Sequence, residues 1–216
     1  MNRAPTTNRE LAAFVDDTGN TTVAERDPDP EDYPGVDPDD LVAGAAMFRQ
    51  PDGPVDRQDP NQLWEYVPGA DWRHPLGPDS DPEGKMDHPV VHVAHEVALA
   101  FAEWAGKTLP TEAQLERAAR GGLEAKRFVW GDEHVPDVRL MANTWQGRFP
   151  HENELLDGYE RTSPVGSFPE NGFGLFDVAG NVGEWTRDWY SVDPTNGASE
   201  SPSCCTPTNP GGVSEE

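Results

Sequence analysis

The residues with the clearest potential for metal or redox chemistry are the two cysteines, Cys204 and Cys205, the only cysteines among 216 residues. Thiolates are the ligands that soft ions such as Cu(I) select, and paired cysteines can also form disulfides. Because these two cysteines are adjacent, they offer awkward geometry for one soft ion and cannot link distant segments as a pair. We therefore expect inert or adventitious thiols here, not a copper site or a disulfide framework.

A second candidate is the group of three histidines His88, His92 and His95. Imidazole nitrogens bind zinc and iron, so three close histidines could hold such a metal. The chain between them is expected to pass from a strand into a helix, so their rings need not face one point. We favour packing and hydrogen bonding over a zinc or iron site.

Charge limits the partners of the chain. There are 40 acidic and 16 basic residues, which give a formal net charge of −24. Nucleic acid and anionic membrane are therefore poor partners, because a phosphate-binding surface needs the opposite sign. The acids form either a solvated shell, as in halophilic proteins of a high-salt cytoplasm, or a dedicated calcium-binding surface. Their spread along the whole chain favours the acidic shell.

The sequence shows no pattern for membrane insertion or secretion. No apolar run approaches the length of a spanning helix, and the first residues lack the apolar region of a signal peptide. We expect a cytoplasmic protein that does not associate with membranes.

Composition predicts a loop-rich fold, and local patterns place three helices in it. Gly and Pro number 21 and 22 and the hydrophobic fraction is 35%, while seven Trp residues argue against disorder. Capping boxes at Thr7 with Glu10 and at Thr111 with Gln114 predict the starts of two helices. Apolar spacing over 94–105 predicts a third.

The remaining chain is predicted to hold short strands and many turns. Residues 89–93 have the pattern of a short buried strand, 41–48 fit a strand or a short helix, and 51–84 fit a loop. Residues 128–190 form a series of turns with embedded aromatic residues, which we interpret as packing anchors. The segment 191–216 is small, polar and rich in Pro and Ser, and we predict a poorly ordered tail.

A series of short segments resembles one family, the sulfatase-modifying factor family, and in particular its formylglycine-generating members. The segments that carry the resemblance are HPVVHV at 88–93, WAGKTLPTEA at 104–113, RAARGG at 117–122, ANTWQG at 142–147, NGFGLFD at 171–177 and GNVGEWT at 180–186. Such an ordered series is far more specific than a single short motif. The resemblance implies an α+β, loop-rich sulfatase-modifying-factor fold with few helices and short strands, distantly similar to C-type lectins.

The resemblance also implies an activity. Members of the family use O₂ to oxidise a cysteine in a Cys-x-Pro-x-Arg segment of a sulfatase polypeptide to formylglycine, and two cysteines separated by four residues bind the Cu(I). No such pair occurs in this sequence. We therefore expect residues 1–190 to be an incomplete domain that lacks its first strands and its C-terminal catalytic segment. Such a chain would be inactive, and copper would bind only if the missing segment were supplied. The alternative is a non-catalytic, calcium-stabilised binding module of the same fold.

Calcium is the metal that the resemblance implies for the residues present. Calcium takes oxygen ligands from carboxylates, amides and backbone carbonyls, often on irregular loops. Spacing alone favours a turn residue at Asp177 and a solvated acid at Glu184, whereas the resemblance favours two calcium sites. The first site would use the side chains of Asn143 and Asp157 and the carbonyls of Thr144 and Tyr159. The second site would use the side chains of Asp177 and Glu184 and the carbonyls of Gly180 and Val182.

Several positions depart from the family pattern, among them Asp81 and Pro82, which stand where the family has Ser-Ile. Gly183 stands where the family has a bulky aromatic residue, His95 where it usually has Trp, and Lys85 where it has Arg. An Arg-to-Lys change loses the bidentate fork of the guanidinium group. Together the changes indicate relaxed constraints on the site or a divergent lineage.

Overall fold

The computed structural model describes residues 1–189, which contain three α-helices and one two-stranded sheet. The helices are α1 (Asn8–Thr18), α2 (His95–Trp104) and α3 (Glu112–Ala119), and the strands are β1 (Gly44–Phe48) and β2 (Trp64–Pro68). Single 3₁₀ turns lie at Val23–Glu25, Pro30–Asp32, Pro38–Asp40, Pro60–Gln62 and Pro136–Val138. The loop-rich α+β architecture expected from the sequence is confirmed.

Both capping boxes form as the sequence predicts. At α1, the Thr7 hydroxyl accepts from the Glu10 amide at 3.3 Å, and the Glu10 carboxylate accepts from the Thr7 amide at 2.8 Å. At α3, Thr111 and Gln114 exchange the corresponding hydrogen bonds at 3.1 and 3.0 Å. Each bond satisfies an amide that the helix leaves unpaired, so four residues are enough to mark the start. The helix predicted over 94–105 is α2, which is one residue shorter at each end.

A hydrophobic core lies between α1 and α2. Leu11 and Phe14 of α1 and Val97 of α2 are each at most 2% exposed, and Trp72 is buried with them. The Phe14 ring meets the Phe101 ring edge-on, with centroids 5.7 Å apart. Burial of each such side chain contributes about 1.5–3 kcal/mol. The loop that carries Trp72 is therefore fixed against the helices although it has no regular structure.

The sheet lies where the sequence prediction was open or wrong. The segment 41–48, which fitted a strand or a helix, contains β1, whereas the predicted loop 51–84 contains β2. The two strands pair antiparallel, with Gly44 opposite Pro68. β2 was missed because most of its residues are exposed, so no alternation of buried and exposed positions marks it.

The strand predicted over 89–93 is also wrong. Within residues 1–189 this segment makes one isolated bridge, between Thr7 and Pro89. Pro89 has no amide hydrogen, and His92 has a φ of 58°, so a ladder of hydrogen bonds cannot extend along it. Val90 of this segment still packs against the core, which explains the strand-like apolar pattern.

The second half of the chain is held by turns and side-chain amides. Asn171 is the clearest example, because its Nδ2 donates to the carbonyls of Ala118 and Ala119 at 2.7 and 3.1 Å. Its Oδ1 accepts from the amides of Phe173 and Leu175 at 2.9 and 3.1 Å. One side chain thereby closes the C-terminus of α3 and the turn that leads into the candidate metal loops.

The series of turns predicted from residue 128 onwards is confirmed as far as residue 189. The predicted tail at 191–216 and both cysteines lie outside the described residues. No helix among residues 1–189 is long and apolar enough to cross a bilayer.

Candidate metal centre

The first predicted calcium site lies between two facing loops, around Asn143 and around Asp157. Asn143 is 8% exposed, and its Nδ2 donates to the Arg161 carbonyl at 2.7 Å. Its Oδ1 is therefore the side-chain atom left to face a cation. The Tyr159 amide donates to Asp157 Oδ1 at 2.9 Å, which closes a turn around the carboxylate. The structure thus brings the two loops of the predicted site together.

Gln146 joins the two loops at the centre of this first group. Its Nε2 donates to the Thr144 carbonyl and, at 2.8 Å, to Asp157 Oδ2. Its Oε1 accepts from the Asp157 amide at 3.3 Å, and the residue is only 9% exposed. Two predicted ligand oxygens therefore converge on one positively polarised amide group, an arrangement that also suits a hard cation. The sequence did not single out Gln146, because nothing in its spacing shows which loop it meets.

The second predicted site lies in the turn from Asp177 to Glu184. Asp177 is 7% exposed, has a φ of 52°, and its Oδ2 accepts from the Gly166 amide at 2.7 Å. Burial raises the pKa of the Asp177 carboxyl. Burial also raises the pKa of Glu184, and the negative charge of Asp177 adds to that rise. The two carboxylates repel each other, and a cation between them would relieve the repulsion.

Glu184 combines an exposed surface with a desolvated carboxyl. The residue as a whole is open to solvent, yet desolvation is the main cause of its raised pKa. Solvent therefore screens part of the repulsion from Asp177.

Gly180 sets the path of the second loop. It has a φ of 78°, and a Cβ there would overlap the Asn143 carbonyl oxygen and lie 3.1 Å from Thr144 Cγ2. A side chain does not fit this space, and L residues disfavour this backbone conformation. At Gly183, by contrast, a Cβ would meet no described atom within 4 Å. The departure from the family pattern at Gly183 thus leaves space beside the backbone in the part of the chain that the structure describes.

The two groups touch each other through Asn143 and Asn181. The Asn181 amide donates to the Asn143 carbonyl at 2.8 Å. The Asn181 side chain exchanges two hydrogen bonds with the Ser163 backbone, accepting from its amide at 3.0 Å and donating to its carbonyl at 3.1 Å. The sequence signalled neither Asn181 nor Ser163 as a link, because the connection depends on the path of the chain between them.

The donor atoms of both groups fit a hard cation. Each group offers carboxylate and carbonyl oxygens, and the first adds an amide oxygen, which are the ligands that calcium takes on loops. Among residues 1–189 no cluster of three or more His, Cys, Asp or Glu side chains is placed to hold a metal. These residues therefore offer no group of side chains of the kind that binds a transition metal. Calcium remains the ion predicted for the two oxygen-rich groups.

The three histidines do not converge on one point. Each ring makes a hydrogen bond to a different partner: His88 Nδ1 to Thr162 Oγ1 at 2.9 Å, His92 Nε2 to the Pro75 carbonyl at 3.0 Å, and His95 Nε2 to the Thr186 carbonyl at 3.1 Å. Burial lowers the pKa of His88, and Lys85 contributes to the shift. The predicted hydrogen-bonding role of these residues is confirmed.

A cavity of about 510 Å³ lies beside the first group and shares Asn143, Thr144 and Tyr159 with it. Five Phe, Trp and Tyr residues form part of its wall, and the Phe48 ring contacts the rings of Trp64, Trp145 and Phe149 at centroid distances of 6.1, 5.8 and 5.7 Å. Trp145 and Phe149 thus pack against Phe48, as the interpretation of the aromatic residues in 128–190 as packing anchors predicts. Half of the Trp64 surface is nevertheless exposed, so the cluster also borders solvent.

The fold and the two oxygen-rich groups define a class of protein, a loop-rich α+β domain with adjoining candidate sites for hard cations. Residues 1–212 match the family model described as the sulfatase-modifying factor enzyme 1-like domain. The chain belongs to the sulfatase-modifying factor family, as its short segments indicated.

Several relatives are named formylglycine-generating enzyme, and two of them show the extent of the match. The protein of Mycobacterium tuberculosis is 53% identical over 211 residues, which cover 96% of this chain and 69% of the relative. The protein of Streptomyces coelicolor is 48% identical over 187 residues, which cover 86% of this chain and 56% of the relative. The chain thus spans between 56% and 69% of the length of these two relatives.

A solved structure supports the same fold. The structure of PvdO from Pseudomonas aeruginosa matches with a TM-score of 0.52 and 29% identity, over 91% of this chain and 58% of that chain. The fold class that the resemblance implied is therefore confirmed.

Proposed function

We propose that this chain forms the calcium-stabilised scaffold of a formylglycine-generating domain, whose substrate is a cysteine in a sulfatase polypeptide. The observation that carries the proposal is 53% identity over 96% of the chain to a relative with that name. Identity at this level supports a common fold and common positions for the loops, so that the relative's activity becomes the leading hypothesis for the protein to which these residues belong.

The calcium part of the proposal is supported by the geometry of the loops. The Thr144 carbonyl and the Asp157 carboxylate converge on one amide group. Asp177 and Glu184 lie close enough for the charge of one to raise the pKa of the other. A hard cation would satisfy both arrangements through ligands that it prefers.

The cysteine chemistry needs residues that the described part of the chain does not contain. Soft thiolates are the ligands that hold Cu(I), and the only cysteines in the sequence are the adjacent Cys204 and Cys205. We therefore expect no formylglycine from these 216 residues alone. Copper would act only where a segment with two cysteines separated by four residues is supplied.

Aldehyde formation on a Cys-x-Pro-x-Arg peptide, with Cu(I) and O₂ supplied, tests the proposed activity. The 216-residue chain is compared with the same chain fused to the part of the Mycobacterium tuberculosis relative that follows the matched region. Turnover is expected from the fusion alone. Turnover by the 216 residues contradicts our expectation for the cysteines, and a fusion that binds calcium without turnover favours the non-catalytic binding module.

Calcium titration followed by thermal unfolding tests the scaffold. A ligand that binds only the folded state stabilises it by about 2.7 kcal/mol at a concentration one hundred times its Kd. A melting temperature that does not change on adding calcium or removing it with a chelator contradicts the proposed sites. The absence of nucleic-acid partners and the halophilic acidic shell belong to the same proposal and rest on the net charge of −24.

A further inference from the structure

One segment of the chain contacts both candidate calcium sites. At its start, the Arg161 carbonyl accepts from Asn143 Nδ2 at 2.7 Å, which orients a predicted ligand of the first site. Near its end, the Gly166 amide donates to Asp177 Oδ2 at 2.7 Å, which orients a predicted ligand of the second site. The segment 161–166 therefore forms a physical bridge between the two groups.

Asn181 fastens this bridge in the middle. Its side-chain amide exchanges hydrogen bonds of 3.0 and 3.1 Å with the amide and carbonyl of Ser163, a residue with no exposed surface. Its Oδ1 also lies 3.5 Å from Asn143 Nδ2. A side-chain amide that mimics a paired backbone in this way fixes two loops against each other.

The backbone of Asn181 carries the contact into the second site. Asn181 lies between Gly180 and Val182, whose carbonyls are the predicted ligands, and its amide donates to the Asn143 carbonyl at 2.8 Å. Its φ of 61° lies in the left-handed region that Asn tolerates better than most residues. The direction of both carbonyl ligands thus depends on a residue that is bonded to the first site.

We infer that Asn181 is a positioning residue that couples the two calcium sites, so that calcium at one site raises the affinity of the other. This inference rests on the proposed calcium-stabilised scaffold. Each ion must order its own loop, and the shared hydrogen bonds mean that ordering one loop orders part of the other. The second ion then has less conformational freedom to remove, which makes the coupling positive.

Calorimetric calcium titration of the whole chain and of single-site variants tests the coupling. Asp157→Asn weakens the first site and Glu184→Gln weakens the second, so that each variant reports the other site. In the parent background, we expect the remaining site to bind calcium at least about fivefold more weakly than it does when both sites are intact. In an Asn181→Gly background, which keeps the left-handed backbone but loses the side-chain bonds, the difference is expected to fall below twofold.

Two further variants separate coupling from general damage to the fold. Gly183→Ala alters the same loop where a Cβ meets no described atom within 4 Å, and it should retain the full coupling. Asn181→Asp keeps an acceptor for the Ser163 amide but loses the donor to its carbonyl, and it should give an intermediate value. A general loss of stability would not change how strongly one site responds to the other.

The outcomes distinguish this inference from the function on which it rests. A parent chain that binds no calcium overturns both the proposed sites and the coupling. A parent that binds two ions whose affinities are independent overturns the coupling alone. Coupling that persists unchanged in Asn181→Gly shows that another residue carries it and overturns the role of Asn181.

Discussion

The two candidate calcium sites differ in how the protein satisfies their oxygen atoms without a cation. At the first site, Gln146 Nε2 donates to the Thr144 carbonyl and to Asp157 Oδ2. At the second, burial raises the pKa of both Asp177 and Glu184, and no described donor within residues 1–189 reaches the Glu184 carboxylate. The first site contains a substitute for the ion, whereas the second leaves the desolvated carboxyl of Glu184 near the charge of Asp177 with no described donor of its own.

This difference predicts unequal responses to calcium. An ion entering the first site displaces an existing donor, so the net gain is the difference between two favourable arrangements. An ion entering the second site removes the repulsion between carboxylates and restores interactions that burial has weakened. We therefore expect calcium to stabilise the second site more than the first.

The largest expected effect comes from Gly180→Ala, which strains both sites at once. The new Cβ would overlap the Asn143 carbonyl and force a left-handed backbone on alanine, so the free energy of unfolding should fall by about 3 kcal/mol. Urea unfolding with and without calcium measures the change. Gly183→Ala is the matched control and should stay within about 0.5 kcal/mol of the parent. If both substitutions lowered the free energy of unfolding equally, Gly180 would have no special role in setting the path of the second loop.

Replacing Gln146 makes the first site resemble the second. Gln146→Leu leaves the Thr144 carbonyl and the Asp157 carboxylate without their buried donor, which should cost the calcium-free protein about 1–3 kcal/mol. Saturating calcium should recover part of this loss, because the ion then meets no competing donor. Urea unfolding in chelator and in calcium measures both quantities.

Gln62 offers a control for that experiment. Its Nε2 donates to Asp59 Oδ2 at 3.0 Å, a similar pair of groups on the exposed surface. Gln62→Leu should therefore change the stability by less than about 0.5 kcal/mol, with no dependence on calcium. A calcium-dependent effect at Gln62, or none at Gln146, would contradict the comparison between the sites.

The repulsion at the second site predicts a specific pH dependence. Because the pKa of Asp177 and of Glu184 is raised in the folded state, protons bind the folded protein more tightly than the unfolded chain. Their charged forms therefore destabilise the calcium-free protein at neutral pH. That destabilisation disappears as the pH falls through the raised folded values toward the usual values of 3.8 and 4.5.

Glu184→Gln measures this effect. The substitution should stabilise the calcium-free protein at pH 7 by no more than about 1 kcal/mol, since solvent screens part of the charge. The gain should shrink steadily toward pH 4.5, the usual value for this carboxyl, and should reverse in saturating calcium because a ligand has been lost. Melting temperatures of the parent and of Glu184→Gln, recorded between pH 7 and pH 4.5, measure this change. A stabilisation that grows as the pH falls would contradict the predicted repulsion.

Salt concentration is expected to distinguish the two sites least, because it changes the melting temperature through charges on the whole surface. Molar KCl shortens the screening length to about 3 Å, which weakens repulsion among exposed acids everywhere on the surface. The melting temperature should rise from dilute to molar KCl in both the parent and Glu184→Gln, because the net charge of −24 is spread along the chain. An unchanged melting temperature contradicts the acidic shell, and a rise confined to the parent would assign the effect to the second site.

Much of the helical part could be predicted because its signals are local. The capping boxes at Thr7 and Thr111 each satisfy helix amides within four residues, so sequence spacing contains all the information. The family segments likewise indicated where both candidate loops lie in the sequence. β2 could not be predicted, because its residues are mostly exposed and its pairing depends on β1, about twenty residues away.

By itself, the sequence determined a loop-rich α+β domain, its helix starts, its net negative charge and its family. Only the tertiary structure decided what joins the candidate sites: Gln146 between two ligand oxygens, and Asn181 between Asn143 and Ser163. The physical reason is the distance along the sequence over which each interaction acts. A cap reports on neighbours a few residues away, whereas an interior amide finds its partners only after distant segments have packed, and many chain paths are compatible with the same spacing.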